Sequence, residues 1–177
     1  MKDRKKNNFE LGRISAEEYR QRAHSGLAVV LDNIRSAHNV GSAFRSADAF
    51  GAEKIWLCGI CATPPSPEIH KSALGAEDSV PWEHSQDTVA VISKLQQKGW
   101  TVLAVEQTVN SVSLEQFQPE PGRRYALVFG NEVFGVQQEA VDACNASLEI
   151  PQWGTKHSLN VSVSIGVLLW HFASKMH

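Results

Sequence analysis

The sequence predicts an α/β protein whose parallel sheet is covered by helices on both faces. Apolar runs of strand length alternate with helical patterns along the 177 residues, an order typical of strand–helix–strand units. The runs LAVVLDN (27–33) and YALVFGNE (125–132) each begin with five apolar residues in succession, as expected of strands buried on both faces. We therefore predict one domain over residues 27–177, preceded by a basic extension over residues 1–26.

The elements can be placed along the chain in order. In the extension, Ser15 and Glu18 form a capping-box pattern ahead of the helix-forming stretch AEEYRQRA. Gly51 is placed to cap the first helix of the domain, and the proline-containing segment 62–86 is predicted to be irregular, with one short strand near Val80. Strands are predicted at 27–33, 54–59, 100–106, 125–132 and 147–151, and helices at 39–50, 87–99, 136–144 and 158–177.

Composition and charge limit the classes of protein. The chain is 42% hydrophobic and 20% charged, and no apolar run approaches the length of a membrane span. Its first residues lack the apolar core of a secretory signal, so we expect a cytoplasmic protein with no membrane partner. The net charge is −2, yet residues 1–26 hold seven Lys or Arg against four acids. Such an extension can bind a polyanion, although a solvated tail has the same composition.

The three cysteines, Cys58, Cys61 and Cys144, are too few for a disulfide framework. Cys58 and Cys61 form a CxxC, for which His70 and His84 are the nearest further zinc ligands. A redox CxxC begins a helix, whereas this pair ends an apolar run. We therefore interpret both residues as small side chains at a strand end and predict no metal site.

Three polar segments follow predicted strands, where ligands bind in parallel sheets. They contain Asn39 and Arg45, then Gly130-Asn131-Glu132, then Ser158-Leu159-Asn160. Each has an ordinary alternative, namely a surface arginine, a strand-to-helix turn and a helix cap. Neither a GxGxxG nor a GxxxxGK[ST] motif is present, so the usual phosphate-binding loops are excluded.

Taken together, LDNIRSAHNVGSAFRSADAFG, ALVFGNEVFGV and IPQWGTKHSLNVSVSIGVLLW occur in the order and at the separations of three family motifs. In these motifs the chain resembles the SpoU/TrmH family of knotted RNA ribose methyltransferases from about Leu27 to its end. The resemblance implies a C-terminal trefoil knot, a homodimer and S-adenosylmethionine bound mainly through backbone groups. The implied catalytic residues are Arg45, Asn39, Glu132, Ser158 and Asn160. The implied cofactor-binding residues are Leu127, Phe129, Gly130, Ile150, Gln152, Ser158 and Leu159.

The resemblance places Arg45 at the mouth of the cofactor pocket. A guanidinium has a pKa above about 12 and stays protonated, so we favour a fixed cation that stabilises the forming alkoxide over a general base. One departure from the family pattern is Val133-Phe134, where glycine usually follows the glutamate. A β-branched residue does not readily adopt a positive φ, so this turn is expected to differ.

The predicted function is S-adenosylmethionine-dependent methylation of a ribose 2′-hydroxyl in RNA. We favour tRNA over rRNA because the short basic extension resembles that of tRNA-directed members. The alternatives are base methylation, as in another knotted branch, and a catalytically silent RNA-binding module on the same fold. The apolar stripe of the last helix is expected to pack in the core, at a dimer interface, or both; it comprises Val161, Ile165, Leu168, Leu169 and Phe172.

Overall fold

The computed structural model describes residues 3–7, 9–21 and 26–176. Its strands are β1 (Leu27–Asp32), β2 (Lys54–Cys58), β3 (Trp82–Ser85), β4 (Trp100–Val105), β5 (Val112–Ser113), β6 (Arg124–Phe129) and β7 (Ala146–Glu149). Its α-helices are α1 (Ala16–Gln21), α2 (Ala37–Ala49), α3 (Pro67–Ala73), α4 (Ala76–Ser79), α5 (Thr88–Gln97), α6 (Gln138–Ala143) and α7 (Val161–Met176). A single 3-10 turn, Phe9–Leu11, precedes α1.

The described strands form one seven-stranded sheet in the order β3-β2-β1-β6-β4-β7-β5, and every pair is parallel. This order confirms the predicted parallel α/β class. It also brings the carboxyl ends of β1, β6, β4 and β7 next to one another, which is where the three polar segments begin. The trefoil knot stays a prediction from the resemblance.

The sheet separates two apolar cores, as predicted. Along β1, Val29 lies in one core and Val30 in the other, because successive side chains of a strand point to opposite faces. Residues of α1, α2, α3, α4 and α7 fill the first core. Residues of α5 and α6 fill the second. The sheet is therefore covered on both faces.

Helix α2 begins two residues earlier than predicted. Ser36 is its N-cap, and the Ser36 hydroxyl accepts a hydrogen bond from the backbone nitrogen of Asn39 at 3.3 Å. The helix ends at Phe50, and Gly51 follows with a φ of 70°, as a glycine after a helix end should. The first polar segment therefore begins earlier than predicted and includes Ser36, which lies in the loop after β1.

The N-terminal extension packs against the domain through α1. The predicted capping box is present: Ser15 N donates to Glu18 Oε2 at 2.7 Å, and Glu18 N donates to Ser15 Oγ at 3.2 Å. The buried Tyr19 hydroxyl donates to the backbone oxygen of Ala52 at 2.8 Å. The end of the predicted helix, residues 22 and 23, lies outside the described residues.

Segment 62–86 was wrongly predicted to be mainly irregular. It forms α3 and α4, and the strand in this region is β3 at Trp82–Ser85 rather than a strand near Val80. Pro67 occupies the first turn of α3 behind an N-cap at Ser66, a position where proline needs no hydrogen-bonded amide. Pro67 therefore marks the start of a helix. A separate strand, β5, was not predicted, because two residues are too few to show a sequence pattern.

The last helix begins at Val161 rather than at residue 158. Asn160 provides the cap, since its Oδ1 accepts a hydrogen bond from the backbone nitrogen of Ser162 at 2.8 Å. Of the predicted apolar stripe, Ile165, Leu168 and Leu169 are buried in the first core together with Phe172. Core packing within one chain thus accounts for most of that stripe.

The cysteines do not form a reactive pair. Cys58 and Cys61 are buried in different cores, and burial raises the pKa of the Cys58 thiol to about 12 and that of Cys61 to about 11. No group of three potential metal-ligating side chains occurs among the described residues. None of the described helices has the length and apolarity that crossing a bilayer requires.

Candidate functional site

A cleft of about 1230 Å³ lies at the carboxyl edge of the sheet. Its walls are the loops that follow β4, β6 and β7, which the strand order brings together. The described lining residues lie within 105–110, 129–136, 138–152 and 158–164. Two of the three predicted motifs therefore form one cavity.

The charge of this cleft is one-sided. Four carboxylates, those of Glu106, Glu132, Asp142 and Glu149, belong to its lining. The described lining contains no Lys, Arg or His. A ligand that carries phosphate would meet only like charge there, whereas a neutral or cationic ligand would not.

The turn after β6 is compact. Asn131 and Gly135 exchange two backbone hydrogen bonds, each 2.9 Å long, and the Asn131 Oδ1 accepts from the backbone nitrogens of Val133 and Phe134. A Cβ at Gly130 would overlap backbone atoms of Gly135 and Val136. Only glycine at position 130 permits this close approach of two backbone segments.

Val133 fits this turn without strain. Of the described non-glycine residues, Asn33 and Leu74 have a positive φ, so Val133 does not. Gly135 adopts the left-handed conformation in the turn, with a φ of 69°. Val133 therefore needs no positive φ in this turn, because Gly135, two residues later, adopts the left-handed conformation.

Glu132 joins the turn to the first polar segment. Its carboxylate accepts hydrogen bonds from the backbone nitrogens of Arg35 and Ser36, at 2.9 and 3.0 Å, and from Asn39 Nδ2 at 2.9 Å. Desolvation would raise the pKa of Glu132, but the hydrogen bonds from Arg35, Asn39 and Ser36 outweigh it and lower the pKa. Glu132 is thus an ionised acceptor that fixes the start of α2 beside the cleft.

A second set of hydrogen bonds, which the sequence did not predict, centres on Asp32 at the end of β1. Thr88 Oγ1 donates to its Oδ1 at 2.6 Å, and Gln137 donates to it through both its backbone and side-chain nitrogens. Asp32 is fully buried, so these donors offset the cost of removing the carboxylate from water. They tie β1, α5 and the start of α6 together below the turn.

Glu106, after β4, also contacts the turn. Its Oε2 accepts from Val136 N at 3.0 Å, and its Oε1 accepts from Gln107 N at 2.9 Å. Gln107 Nε2 in turn donates to the backbone oxygen of His157 at 2.7 Å. The three walls of the cleft are therefore linked by hydrogen bonds through one loop that no sequence motif singled out.

Most of the predicted cofactor-binding and catalytic positions line this cleft; they are Phe129, Gly130, Glu132, Ile150, Gln152, Ser158, Leu159 and Asn160. Leu127 is fully buried in the middle of β6 and does not line it. Asn39 lies outside the lining but contacts it through Glu132. Asn160 combines a place in the lining with its role as the cap of α7.

Arg45 is not at the mouth of the cleft within one chain, contrary to the expectation from the resemblance. It is exposed on α2 and absent from the cleft lining. Its guanidinium has neither a hydrogen bond nor an ion pair with any residue that the structure describes. Position 45 lies two turns along α2 from its start, whereas only the start of that helix adjoins Glu132.

A parallel α/β sheet with an acidic cleft at the carboxyl ends of its strands defines an α/β protein that binds its ligand at that edge of the sheet. The sequence model of one family, described as the SpoU rRNA Methylase family, matches residues 26–170. The chain belongs to that family. The match includes all three motifs and confirms the resemblance on which the sequence-based hypothesis relied.

Individual relatives agree with this assignment. The 23S rRNA (guanosine-2′-O-)-methyltransferase RlmB of Nitrosomonas europaea is 34% identical over 148 residues, which are 81% of this chain and 54% of RlmB. The crystal structure of the A. aeolicus TrmH/SpoU tRNA modifying enzyme is similar with a TM-score of 0.78 at 25% identity, over 90% of this chain and 80% of that one. An AdoMet-bound rRNA methyltransferase from Sinorhizobium meliloti gives a TM-score of 0.78 at 28% identity, over 92% and 61%. The chain spans just over half the length of the first two curated relatives that it matches.

Proposed function

We propose that this protein transfers a methyl group from S-adenosylmethionine to a ribose 2′-hydroxyl of RNA. The observation that carries the proposal is the acidic cleft at the carboxyl edge of the sheet, with four carboxylates and no basic side chain in its described lining. S-adenosylmethionine has a positively charged sulfonium and no phosphate, so it matches this charge. Family membership supports the same choice, since relatives include an AdoMet-bound methyltransferase.

The residues of the cleft suit this cofactor in shape as well. Gly130 lets the turn close against Val136, and the cleft is also lined by residues 150, 152, 158 and 159, whose backbone groups can serve an adenine and a ribose. Ile150 and Leu159 provide apolar surface for the ring. When bound, the cofactor supplies an activated methyl group on sulfur.

The chain's own polar residues then hold the substrate. A 2′-hydroxyl is a poor nucleophile and must lose its proton at or before transfer. Glu132 is not suited to take it, because hydrogen bonds lower the pKa of its carboxyl and occupy both oxygens. We propose that Glu132 and Asn39 orient the start of α2, and that Arg45 stabilises the forming alkoxide and the adjacent phosphate.

We further propose that the active form is a homodimer. Arg45 does not reach the cleft of its own chain, so a second copy has to bring the two together. Val163, Val167 and Trp170 occur at helical spacing on α7 and are exposed. Helix α7 contacts α2, and the Phe50 and Trp170 rings are 5.9 Å apart. The exposed apolar side chains of α7 therefore lie next to the helix that carries Arg45.

For the RNA class we propose tRNA. The support is the basic extension, in which Lys5, Lys6, Arg13 and Arg20 are exposed and have no ion pair with any described residue. Such cations bind phosphates without reading sequence. Relatives include both rRNA and tRNA enzymes, so rRNA is the direct competitor.

The test is methyl transfer from radiolabelled S-adenosylmethionine to unmodified tRNA and rRNA pools, followed by alkaline digestion. We expect label in an alkali-resistant dinucleotide from tRNA, because a 2′-O-methyl group blocks cleavage of the next phosphodiester. Arg45→Ala should lower the rate about 100-fold and leave cofactor affinity unchanged. Arg123→Ala is the matched control, since Arg123 is paired with Glu120 just before β6, at the opposite edge of the sheet, and should have no effect.

Label in rRNA alone would support the chemistry and contradict the tRNA proposal. Label that appears in mononucleotides after alkaline digestion would indicate base methylation instead. Absence of both label and cofactor binding would contradict the enzyme proposal as a whole. Cofactor binding with an active Arg45→Ala variant would contradict the role given to Arg45.

A further inference from the structure

The turn after β6 presents an aromatic ring to solvent at the edge of the cleft. Phe134 is 84% exposed and belongs to the cleft lining. An apolar ring of this size is normally buried, and the cores on both sides of the sheet leave it out. Its exposure therefore needs a reason that the packing of this chain does not supply.

The ring is held rather than loose. Asn131 Oδ1 accepts hydrogen bonds from the backbone nitrogens of Val133 and Phe134, at 2.9 and 3.2 Å. Gly135 closes the turn through its two bonds to Asn131, and Glu106 fixes the backbone of Val136. A side chain on so constrained a backbone loses little conformational freedom when it binds a ligand.

The position of the ring relative to charge points to a base rather than a phosphate. The turn carries Glu132, and the described cleft lining has only acidic charged groups, which disfavour the RNA backbone. The exposed Arg35, by contrast, lies on the segment that Glu132 holds and has no ion-pair partner among the described residues. Phosphates are thus expected on that segment and an uncharged group on Phe134.

We propose that Phe134 stacks on an unpaired base of the RNA, next to the ribose that is methylated. This proposal rests on the proposed function and adds to it a recognition element. Proteins that recognise specific RNA sequences mostly target unpaired nucleotides, and they commonly hold the bases of such nucleotides against aromatic rings. Trp153 is equally exposed, but it does not line the cleft.

The experiment compares binding of two end-labelled probes by fluorescence anisotropy: a single-stranded 12-nucleotide oligoadenylate and an abasic ribose-phosphate strand of the same length. The wild-type protein should bind the base-bearing strand about ten-fold more tightly, because stacking adds to phosphate contacts. Phe134→Leu should reduce that preference to about one and leave affinity for the abasic strand unchanged. Phe134→Trp, which keeps an aromatic ring, should retain the preference.

Val133→Ala is the matched control, since Val133 is 63% exposed on the same turn and is not aromatic. It should retain the full preference for oligoadenylate. The thermal midpoint of Phe134→Leu should equal that of the wild type, which excludes misfolding as the cause. In methyl transfer, Phe134→Leu should raise KM for RNA, because the stacked base contributes to substrate binding.

A Phe134→Leu variant with the wild-type preference would overturn the proposal, as would a wild-type protein that does not distinguish the two strands. A variant that instead shifts the monomer–dimer equilibrium and keeps the preference would assign Phe134 to the subunit interface. In each of these three cases, methyl transfer by the wild-type protein would still support the proposed function. A wild-type protein that neither methylates nor binds RNA would remove the proposed function and this proposal with it.

Discussion

Glu132 and Arg45 carry opposite charges and meet opposite environments. The Glu132 carboxylate accepts three hydrogen bonds from the segment that begins α2. The Arg45 guanidinium has no such partner in the described part of the chain. An ionised group that is fully hydrogen-bonded within its own chain serves structure, whereas an unpaired cation is available to a ligand. We therefore propose a positioning role for Glu132 and transition-state stabilisation by Arg45.

Replacing Glu132 tests the positioning role. Glu132→Ala should lower kcat about 10- to 100-fold, because misplaced catalytic groups lose alignment. It should also speed amide hydrogen exchange at Arg35 and Ser36, which lose their acceptor. Exchange is measured by NMR or mass spectrometry. Unchanged protection of these two amides would contradict the proposed clamp, even if activity fell.

The contribution of the Glu132 hydrogen bonds to stability should depend on pH, and the sign of this dependence can be derived. Hydrogen bonds lower the pKa of Glu132 below its ordinary value of about 4.5, despite desolvation. Its stabilising contribution is therefore fully present above that value and is lost as pH falls through the lowered pKa. The difference in unfolding free energy between wild type and Glu132→Ala should shrink in that acidic range. Glu132→Gln, which cannot ionise, should show a flatter acid limb than the wild type.

At the scale of elements, the turn between β6 and α6 determines the shape of the cleft. Its two backbone segments touch at Gly130, where a Cβ would overlap Gly135 and Val136. The turn cannot widen without losing the hydrogen bonds that Asn131 makes with Gly135 and Val133. Position 130 is consequently limited by space rather than by φ.

Gly130→Ala should destabilise the protein by about 2 kcal/mol and weaken cofactor binding, because the added methyl group forces the turn open. Gly154→Ala is the matched control, since a Cβ there has no heavy atom within 4 Å. It should leave the midpoint of thermal unfolding nearly unchanged. Calorimetry measures both, and equal midpoints for the two variants would contradict the close approach seen at Gly130.

At the scale of the whole molecule, the cleft and Arg45 belong to different surfaces of one chain. The cleft opens at the carboxyl edge, while Arg45 lies on α2, beside the exposed stripe of α7 that includes Trp170, which is 61% exposed. Association of two copies through α2 and α7 would cover this stripe. It would also allow the Arg45 of one copy to face the cleft of the other.

Mixing two inactive variants tests this arrangement. Arg45→Ala removes the cation, and Leu159→Arg puts a charge that repels the sulfonium into the cofactor cleft, so a dimer of the two retains one unaltered cleft facing an intact Arg45. Co-refolded mixtures should recover about a quarter of the wild-type rate, on the expectation of random pairing and one working site in each mixed dimer. Sedimentation should show a dimer for the wild type and a monomer for Trp170→Glu. A mixture without recovered activity would contradict contribution of Arg45 across the interface.

Local pattern was sufficient for much of the fold. The apolar runs predicted five of the seven strands, and the capping signals at Ser15 and Gly51 were found in place. The prediction for segment 62–86 failed because Pro67 occupies the first turn of a helix, a placement that composition alone does not reveal. β5 failed because two residues cannot show a period.

The motifs similarly predicted which loops form the site, and eight of the proposed site positions line the cleft. They did not predict the roles of Glu132, Asp32 and Glu106. These carboxylates accept hydrogen bonds from residues 30 or more positions away, or more than 90 for Glu132. No periodicity of 2 or 3.6 residues contains such pairings.

By itself, therefore, the sequence determined the alternation of strands and helices and the burial of the sheet on both faces, since both follow from short-range periodicity and turn chemistry. Only the tertiary structure decided that β6 lies between β1 and β4, that Glu132 accepts hydrogen bonds from the start of α2, and that Arg45 does not line the cleft of its own chain. These features depend on how distant segments pack, and packing is decided by the free energy of the whole chain rather than by any segment of it.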